Sequence, residues 1–472
     1  MLTKHIFSVL SYLLLAVTAL QVEPNWEITN LERAIDVTKS YVKERQDIEA
    51  INIGSEPLDQ FFIAVPKELD DSQAIMVPVL KSPKTERAFL VPKNFTVSNG
   101  DENVVYYSLQ LPVPISPKSE ITLSFSLIAT NQLKPVPEYA PLADSMSITL
   151  ESTKYPVSPY VIRKYAFAII GAVDGKLSSD PTVEEPMDLE FNSKGGNLVA
   201  DPTECTIQPN TYIPLEISFT KTEPLPYVSY LQRDYWISHW GNTLQLEEYY
   251  ELTNKAVKLE SGFNRAEWMN GQFTRKISPA LTAVQIVLPN EEVSDAYFTD
   301  KVGNVSTSQF ISERLVLKPR FPIFGGWHYN FTIGWNHHLS DFLKQGPSDE
   351  YILKVKLLDG LHDGSYEKVD FSVYLPEGAE YIDASVPFKY DNLSVDSSYS
   401  YLDVTTGRPK ITLTFSNLVD ELKDADVYVR YRYSFSALIN KPLVTSMYVF
   451  FALMGLYVLR KVNVSIRPSQ WK

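Results

Sequence analysis

The chain has 472 residues, and its 43 basic against 57 acidic side chains give a formal charge of −14. That is roughly three typical domain lengths, and 44% hydrophobic residues can form cores, which excludes a disordered chain. Nucleic-acid binding is disfavoured because so acidic a surface repels phosphate backbones. The 28 tyrosines and 23 phenylalanines favour strands.

The N-terminus carries an apolar segment, residues 6–20, directly after a short region containing Lys4. The small residues Val17 and Ala19 occupy the positions that specify signal-peptide cleavage. We predict a secretory signal peptide at 1–19, cut after Ala19. An uncleaved anchor is the alternative, but the apolar run is short for a membrane span.

Most of the chain between residues 20 and 440 shows apolar residues in alternation, as in Val369-Asp-Phe-Ser-Val-Tyr-Leu. This period of two is typical of half-buried strands, and frequent Pro, Gly and Asp/Asn clusters separate them. We predict a mainly β protein with two antiparallel β-sandwich-like domains, 20–225 and 226–440. The boundary is placed at Pro224 and Pro226, which favour an extended linker.

Two further patterns bear on this organisation. The hexapeptides Ile121-Thr-Leu-Ser-Phe-Ser and Ile411-Thr-Leu-Thr-Phe-Ser fall one in each half. They indicate either two similar domains or convergence on a generic strand pattern. The stretch Asp174–Glu204 is rich in Asp, Glu, Pro, Gly and Ser, and this composition predicts a long or disordered loop.

Near the C-terminus, residues 443–459 carry no charge and are flanked by Lys441 and by Arg460-Lys461. As a helix this run spans about 26 Å, close to the hydrocarbon thickness of the endoplasmic reticulum membrane. We predict a transmembrane helix, since a buried helix of a soluble domain would need a polar outer stripe. The basic tail 460–472 predicts a cytosolic C-terminus and a lumenal N-terminus, a single-pass type I arrangement.

Four N-glycosylation acceptors fall in the part predicted to be lumenal: Asn94, Asn304, Asn330 and Asn392. A fifth, Asn463, lies in the tail and should stay unmodified. The single cysteine, Cys205, excludes an intrachain disulfide and a zinc site of clustered thiolates. Its acidic neighbours disfavour a thiolate nucleophile.

Three patterns could carry enzyme chemistry, and the usual hydrolase and nucleotide-binding motifs do not occur in the sequence. His337-His338 could ligate a metal, but neighbours on a strand point to opposite faces. Asp424-Ala-Asp426 has the form that holds a metal in glycosyltransferases, and Glu247-Glu248 could serve a glycosidase. A structural role is favoured for each, so we predict no catalytic residue, cofactor or metal site.

Two longer segments, Arg233–Ala256 and Arg320–Trp335, resemble the hallmark stretches of the ribophorin I family. That family is the large type I membrane subunit of the oligosaccharyltransferase complex. Tyr297-Phe-Thr-Asp-Lys-Val-Gly-Asn and Leu375-Pro-Glu-Gly-Ala are also similar to the family. The short tail resembles the fungal form, whereas the animal form has a substantial cytosolic domain.

The resemblance implies a protein of the endoplasmic reticulum membrane. The complex transfers a preassembled glycan from dolichyl diphosphate to Asn of Asn-X-Ser/Thr in nascent polypeptides. This subunit would be an accessory, non-catalytic scaffold. Its implied partners are the catalytic and other subunits of the complex, with the translocon, the nascent polypeptide and membrane lipid as further candidates.

Aromatic side chains in the recognised segments are candidates for a subunit interface or for stacking on sugar, with core packing as the alternative. These candidates are Trp236, His239, Trp240, Trp327 and Trp335. Two other protein classes remain open on the residues alone. One is an independent type I receptor or adhesion protein with two β-sandwich domains, and the other is a membrane-tethered glycosidase or glycosyltransferase.

Overall fold

The structure is a computed structural model that describes residues 24–462 except 82–86, 96–102, 143–144, 180–184, 188, 274–278, 288–292, 312–313, 360, 401–402 and 404–406. The predicted signal peptide and its cleavage site at Ala19 therefore lie outside the described residues. Strands dominate the described chain, and the prediction of a mainly β protein is confirmed.

The chain forms two compact units. Unit 1 comprises Met1–Leu225 and Lys255–Pro279, and unit 2 comprises Pro226–Asn254 and Ala280–Lys472. This division differs from the predicted domains in the segment 255–279, which belongs to unit 1. A short parallel pairing of Tyr139–Ala140 with Lys258–Leu259 ties that segment there.

The strands are short and numerous. Up to the end of β18 they are β1 (Trp26–Asp36), β2 (Val42–Asn52), β3 (Leu58–Pro66), β4 (Gln73–Lys81), β5 (Ala88–Phe89), β6 (Pro92–Phe95), β7 (Val104–Ile115), β8 (Glu120–Ala129), β9 (Lys134–Pro135), β10 (Tyr139–Ala140), β11 (Met146–Thr153), β12 (Val161–Ile170), β13 (Val173–Ser179), β14 (Phe191–Lys194), β15 (Asn197–Ile207), β16 (Pro214–Lys221), β17 (Pro226–Ser238) and β18 (Thr243–Asn254). The remainder are β19 (Lys258–Leu259), β20 (Val284–Val287), β21 (Ser294–Asp300), β22 (Gly303–Asn304), β23 (Gln309–Ile311), β24 (Arg314–Leu317), β25 (His328–His338), β26 (Leu343–Gln345), β27 (Glu350–Lys356), β28 (Ser365–Tyr374), β29 (Glu380–Ser385), β30 (Asn392–Ser398), β31 (Arg408–Val419) and β32 (Asp426–Arg432).

Unit 1 contains an eight-stranded sheet in the order β14-β15-β12-β1-β2-β8-β4-β5. It also contains a four-stranded sheet, β13-β16-β11-β9, a three-stranded sheet, β3-β7-β6, and the short pair β10-β19. Alternate side chains of β1 and β12, such as Leu31 and Phe167, join one buried cluster with Ile148 of β11 and Ile217 of β16. The alternation recognised in the sequence therefore marks the face of each strand that lies in the core.

Unit 2 contains an eight-stranded sheet in the order β30-β31-β28-β17-β18-β25-β21-β22, with sheets β29-β32-β27-β26 and β20-β24-β23. Its core likewise includes residues of the large and the four-stranded sheet, among them Phe371 and Val429. In each large sheet one central pair is parallel, β1 with β12 and β17 with β28. Alternation alone predicts strands but not their direction, so the purely antiparallel expectation missed these two pairs.

The prediction of a long or disordered loop at Asp174–Glu204 is wrong for the described part of this segment. β13, β14 and most of β15 lie there, and β15 pairs with β12 from Leu198 to Ile207. Many of the polar side chains of these strands are exposed, whereas Leu198 and Ala200 are buried. The polar residues of this segment are therefore largely the exposed side chains of strands at or near the edges of their sheets.

Helices are few in the described chain: α1 (Lys67–Asp71), α2 (Arg265–Phe273), α3 (Leu339–Phe342) and α4 (Phe435–Lys461). The helix α4 has 27 residues and contains the predicted run 443–459. Its length and apolar composition would allow it to span a membrane. Ser434 caps its N-terminus, since the Ser434 hydroxyl accepts a hydrogen bond from the amide of Ala437 at 3.3 Å.

Candidate functional site

The two segments singled out in the sequence lie side by side in the large sheet of unit 2. Arg233–Ala256 supplies β18 and much of β17, and Arg320–Trp335 supplies most of β25. β18 pairs antiparallel with both, so that Glu248 lies opposite Arg233 on one side and Ile333 on the other. Successive side chains of these strands point alternately inward and outward, which gives the site a buried and an exposed face.

Arg233 is the centre of the inner face and is completely buried. Its guanidinium donates hydrogen bonds to Glu248, to Asp359 at 2.7 Å and to the hydroxyl of Tyr235 at 2.5 Å. Glu248 also accepts a hydrogen bond from the hydroxyl of Tyr250 at 2.9 Å. Such pairing compensates the large cost of burying a charge.

Two carboxylates share this one cation, and their charges do not balance. Burial raises the pKa of Glu248 to about 7 even though Arg233 attracts its charged form, and the nearby Asp359 adds to the increase. A proton on Glu248 leaves Arg233 and Asp359 as a neutral pair. The side chains of Arg233 and Glu248 are both 0% exposed. A substrate therefore cannot reach the cluster, and its role is structural.

The outer face of the same sheet carries five tyrosines whose hydroxyls each donate to a carboxylate. We call it the tyrosine–carboxylate face, and its pairs are Tyr227 with Glu367, Tyr230 with Asp370, Tyr249 with Glu251, Tyr297 with Glu247 and Tyr374 with Asp234. Burial and then the neighbouring carboxylate raise the pKa of Tyr227, Tyr230 and Tyr297. These hydroxyls therefore stay neutral hydrogen-bond donors.

Two features hold aromatic side chains in place on this face. Trp236 stacks on Tyr374 with ring centroids 3.6 Å apart and planes 7° apart, and Lys410 lies 5.1 Å from the centre of the Tyr374 ring. Gly334 makes room for Tyr297, because a Cβ at this position would lie 2.5 Å from the tyrosine ring. The half-exposed Trp236 and its neighbours thus present aromatic side chains, which are enriched at protein interfaces, whereas the acidic groups beside them are not.

The turn after β17 fixes the start of α4. Pro442 lacks an amide hydrogen, so the carbonyl of Leu438, four residues earlier, loses its helical partner. The indole nitrogen of Trp240 donates to that carbonyl at 2.9 Å. We call this contact the Trp240 lock; it explains an exposed tryptophan that the sequence suggested only as an interface residue.

His239 lies beside the lock, at the inner end of the same turn. Its Nε2 is 2.9 Å from the hydroxyl of Tyr431, and its ring packs against those of Tyr351 and Tyr433. Burial lowers the pKa of His239, so the imidazole is neutral at physiological pH. The neutral ring acts as a packed aromatic group.

The remaining two interface candidates, Trp335 and Trp327, are less exposed to solvent than Trp240. Trp335 is 1% exposed and donates to Nε2 of His337 at 2.7 Å, so it belongs to the core, and its proposed interface role is wrong for this chain. Trp327 is half-buried against Phe321 and Phe324. The register of β25 determines that the Trp335 side chain points into the core, and composition does not predict this register.

The residues considered for enzyme chemistry have other partners. Asp426 bonds to Lys354 at 3.0 Å and Lys356 at 2.9 Å; although burial opposes it, these lysines lower the pKa of Asp426. Glu247 and Glu248 lie on opposite faces of β18. The partly buried Cys205 has a thiol pKa raised by burial. Within the described residues, no group of three or more His, Cys, Asp or Glu could hold a metal ion.

The predicted glycosylation acceptors differ in accessibility. Asn94, Asn304 and Asn392 are exposed on strands β6, β22 and β30. Asn330 is half-buried in β25, and its amide donates to the hydroxyl of Tyr249 at 3.0 Å. A glycan on Asn330 would replace one hydrogen of that amide.

The chain forms two β units, and the second unit continues into one apolar helix, an arrangement that fits a β protein with a single-pass membrane anchor. The chain belongs to the ribophorin I family, whose model matches residues 26–460.

Three relatives support this assignment. Dolichyl-diphosphooligosaccharide–protein glycosyltransferase subunit 1A of Arabidopsis thaliana is 29% identical, over 97% of this chain and 74% of its own. Subunit 1 of Caenorhabditis elegans is 27% identical, over 95% of this chain and 75% of its own. Subunit 1 of Schizosaccharomyces pombe is 27% identical, over 88% of this chain and 90% of its own.

Proposed function

We propose that this chain is subunit 1 of a dolichyl-diphosphooligosaccharide–protein glycosyltransferase and acts there as a non-catalytic scaffold for the catalytic subunit. The family match over residues 26–460 carries this proposal, together with relatives that bear that name. The complex as a whole would transfer the glycan from dolichyl diphosphate to asparagine of nascent polypeptides.

The non-catalytic role is supported by the use to which the acidic side chains are put. Glu248 is sealed inside the sheet with Arg233, and Asp426 is held between two lysines. The carboxylates of the tyrosine–carboxylate face accept hydrogen bonds from tyrosines. A general acid or a metal ligand needs access to its substrate, which these contacts do not give.

The tyrosine–carboxylate face is the surface that we assign to a partner subunit. Its aromatic side chains are held by hydrogen bonds and stacking, so little conformational entropy is lost on binding. Trp236 is the candidate anchor, as tryptophan is enriched among residues that dominate interface energies. The translocon and the nascent polypeptide are further candidate partners for the same unit.

The proposed location is the endoplasmic reticulum membrane, with the β units in the lumen and the C-terminus in the cytosol. The basic residues after Leu459 support this orientation. Single replacements of Asn94, Asn304 and Asn392 by glutamine should each remove one glycan, measured as a mobility shift that endoglycosidase treatment abolishes. Replacement of Asn463 should have no effect on mobility. A glycan on Asn463 would instead place the C-terminus in the lumen and contradict the proposed orientation.

The decisive experiment isolates the tagged chain from membranes in mild detergent and identifies the copurifying proteins. We expect a many-span catalytic subunit and glycosylation of an acceptor peptide by the eluate. The variant Asp426→Asn should retain this activity, because the carboxylate only pairs with lysines. A lone, inactive chain from well-solubilised, active membranes would favour an independent receptor, and loss of activity in an assembled Asp426→Asn complex would contradict the non-catalytic role.

A further inference from the structure

A cleft of about 740 Å³ lies within unit 2, between the start of α4 and the ends of several strands. One wall is a stripe of α4 side chains spaced four residues apart, Thr445, Val449 and Leu453. The opposite wall includes Trp240 and Tyr433. The Trp240 lock and the packing of Ala437 and Leu438 on the core of unit 2 hold the two walls together.

The mouth of the cleft is an ionic cluster. Lys441 lies 2.6 Å from Asp403 and 3.9 Å from Glu377, and Arg408 donates to Asp403 at 3.1 Å. Although burial opposes it, the hydrogen bond from Lys441, with those from the amide of Ser400 and from Arg408, lowers the pKa of Asp403. Asp403 is therefore ionised and fixes both cations.

Exposure within the cluster is uneven. The side chains of Lys441 and Arg408 are 26% and 18% exposed, whereas those of Asp403 and Glu377 are 0% and 6% exposed. Solvent therefore meets the two cations, Asp403 lies behind them, and Glu377, which also lines the cleft, is nearly covered. A phosphate group fits such a site, because guanidinium and ammonium groups that are already oriented form strong charge-assisted hydrogen bonds to it.

The depth of the cleft matches one leaflet of a bilayer. From Lys441 to Leu453 the helix rises about 18 Å, and half of a hydrocarbon core is about 15 Å. The wall turns from cationic at Lys441 to apolar at Val449, Phe450 and Leu453 along the same direction. A helix of another protein is the alternative occupant, and to bond to Lys441 and Arg408 in addition to their own carboxylates it would have to carry an acidic residue, which is costly in membrane helices.

We infer that this cleft binds one glycerophospholipid, whose phosphate lies at Lys441 and Arg408 and whose acyl chain lies along Val449 and Leu453. The lipid comes from the leaflet at the N-terminal end of α4. It fills the space between α4 and the strand ends, so that the orientation of unit 2 on its anchor depends on it.

The test uses the full chain in its purified complex, reconstituted in bilayers of phosphatidylcholine that contain a phosphatidylcholine probe with a photoreactive acyl chain. After irradiation, mass spectrometry locates the labelled peptides. We expect labelling concentrated at the peptide with Val449 and Leu453. Excess glycerophosphocholine in solution should not compete, because the acyl chain contributes much of the binding.

The matched variants are Val449→Trp, which fills the cleft, and Val458→Trp, which lies further along α4 and outside the cleft. The two valines are similarly exposed, 55% and 53%. Val449→Trp should reduce labelling of the cleft peptide to the level of the rest of the helix, and Val458→Trp should leave it unchanged. Both variants must still resist alkaline extraction and copurify with the same subunits, which separates this result from a failure of the anchor or of the proposed function.

Three results would overturn the inference. Uniform labelling along α4 would show that no lipid is held, and full labelling in Val449→Trp would place the lipid elsewhere. A crosslink from a photoreactive residue at Val449 to another subunit, with no lipid adduct, would identify a protein helix as the occupant.

Discussion

Units 1 and 2 share one strand order. Reading across the large sheets, β14-β15-β12-β1-β2-β8-β4-β5 corresponds strand for strand to β30-β31-β28-β17-β18-β25-β21-β22, and the chain visits both sheets in the same sequence. The smaller sheets correspond as well: β13-β16-β11-β9 matches β29-β32-β27-β26, and β3-β7-β6 matches β20-β24-β23. The parallel central pair occurs at the same place in each.

The correspondence extends to single residues. The first strand of each unit is bulged, and a hydroxyl at the bulge donates to a carbonyl of the next strand, Thr29 to Glu49 at 3.1 Å and Ser229 to Glu251 at 3.2 Å. A buried arginine follows in each strand, Arg33 in β1 and Arg233 in β17. The two units are therefore versions of one fold.

Their differences lie in the partners of the arginine and in the outer face. In the part of the chain that the structure describes, Arg33 pairs with one carboxylate, Glu44, through two hydrogen bonds of 2.8 and 2.9 Å, and it also donates to the carbonyl of Thr153. Arg233 has two carboxylates. The outer face of unit 1 carries small residues such as Ala34 and Ala166, where unit 2 carries Asp234 and Asp370 with their tyrosines. The same fold thus carries small residues on this face in unit 1 and paired tyrosines and carboxylates in unit 2.

The largest expected effect separates the two arginine clusters. Glu44→Gln removes the only carboxylate that pairs with Arg33 among the described residues and should lower the free energy of unfolding of unit 1 by about 3–5 kcal/mol. Glu248→Gln leaves Asp359 on Arg233 and should cost unit 2 about 1 kcal/mol or less. Urea-dependent proteolysis of the intact chain, followed peptide by peptide, reports each unit separately. Equal costs in both units would show that the second carboxylate makes no difference.

A pH dependence should follow in unit 2. Folded unit 2 keeps a proton on Glu248 up to about pH 7, whereas the unfolded chain releases it near 4.5. Folding therefore takes up a proton between these values, and the free energy of unfolding falls as pH rises through this window, by at most about 3 kcal/mol, and is level above it. The same proteolysis between pH 4.5 and 8 measures the slope.

Glu248→Gln supplies the control for this slope, because glutamine imitates the protonated acid at every pH. The variant should lose the part of the dependence that lies between pH 4.5 and 7 in unit 2 and leave unit 1 as it was. A slope in unit 2 that persists unchanged in Glu248→Gln would assign the proton to another group.

The Trp240 lock, which connects the turn after β17 with α4, gives a smaller effect. Trp240→Phe keeps the aromatic packing but leaves the carbonyl of Leu438 unpaired, at a cost of about 1–2 kcal/mol. Hydrogen exchange should accelerate at the amides of 437–441, which form the first turns of α4. In a Pro442→Ala background the helix supplies its own donor, so the same substitution should cost little there. Additive effects of the two changes would show that tryptophan and proline are not coupled.

The sequence predicts the local features of this molecule and misses those that depend on distant partners. Alternation identifies most strands, and the uncharged run 443–459 identifies α4. Asp359 lies 126 residues from Arg233, so nothing local links them. The similar hexapeptides at Ile121 and Ile411 lie in β8 and β31, which are not corresponding strands; β8 corresponds to β25 and β31 to β15. Their likeness reflects a common strand pattern, and the true correspondence is in topology.

An effect of similar size should distinguish the two outer faces. Trp236→Ala removes the ring that stacks on Tyr374 and should weaken assembly with the partner subunit by about 1–2 kcal/mol, or roughly tenfold in affinity. Phe89→Ala, which removes an exposed ring from β5 of unit 1, is the matched control and should assemble normally. Native electrophoresis of detergent extracts over a dilution series measures both. Because Trp236 is half-exposed, its removal should change the unfolding of unit 2 far less than its assembly, whereas equal losses in the two measurements would make the ring a packing residue and leave the assignment of this face unsupported.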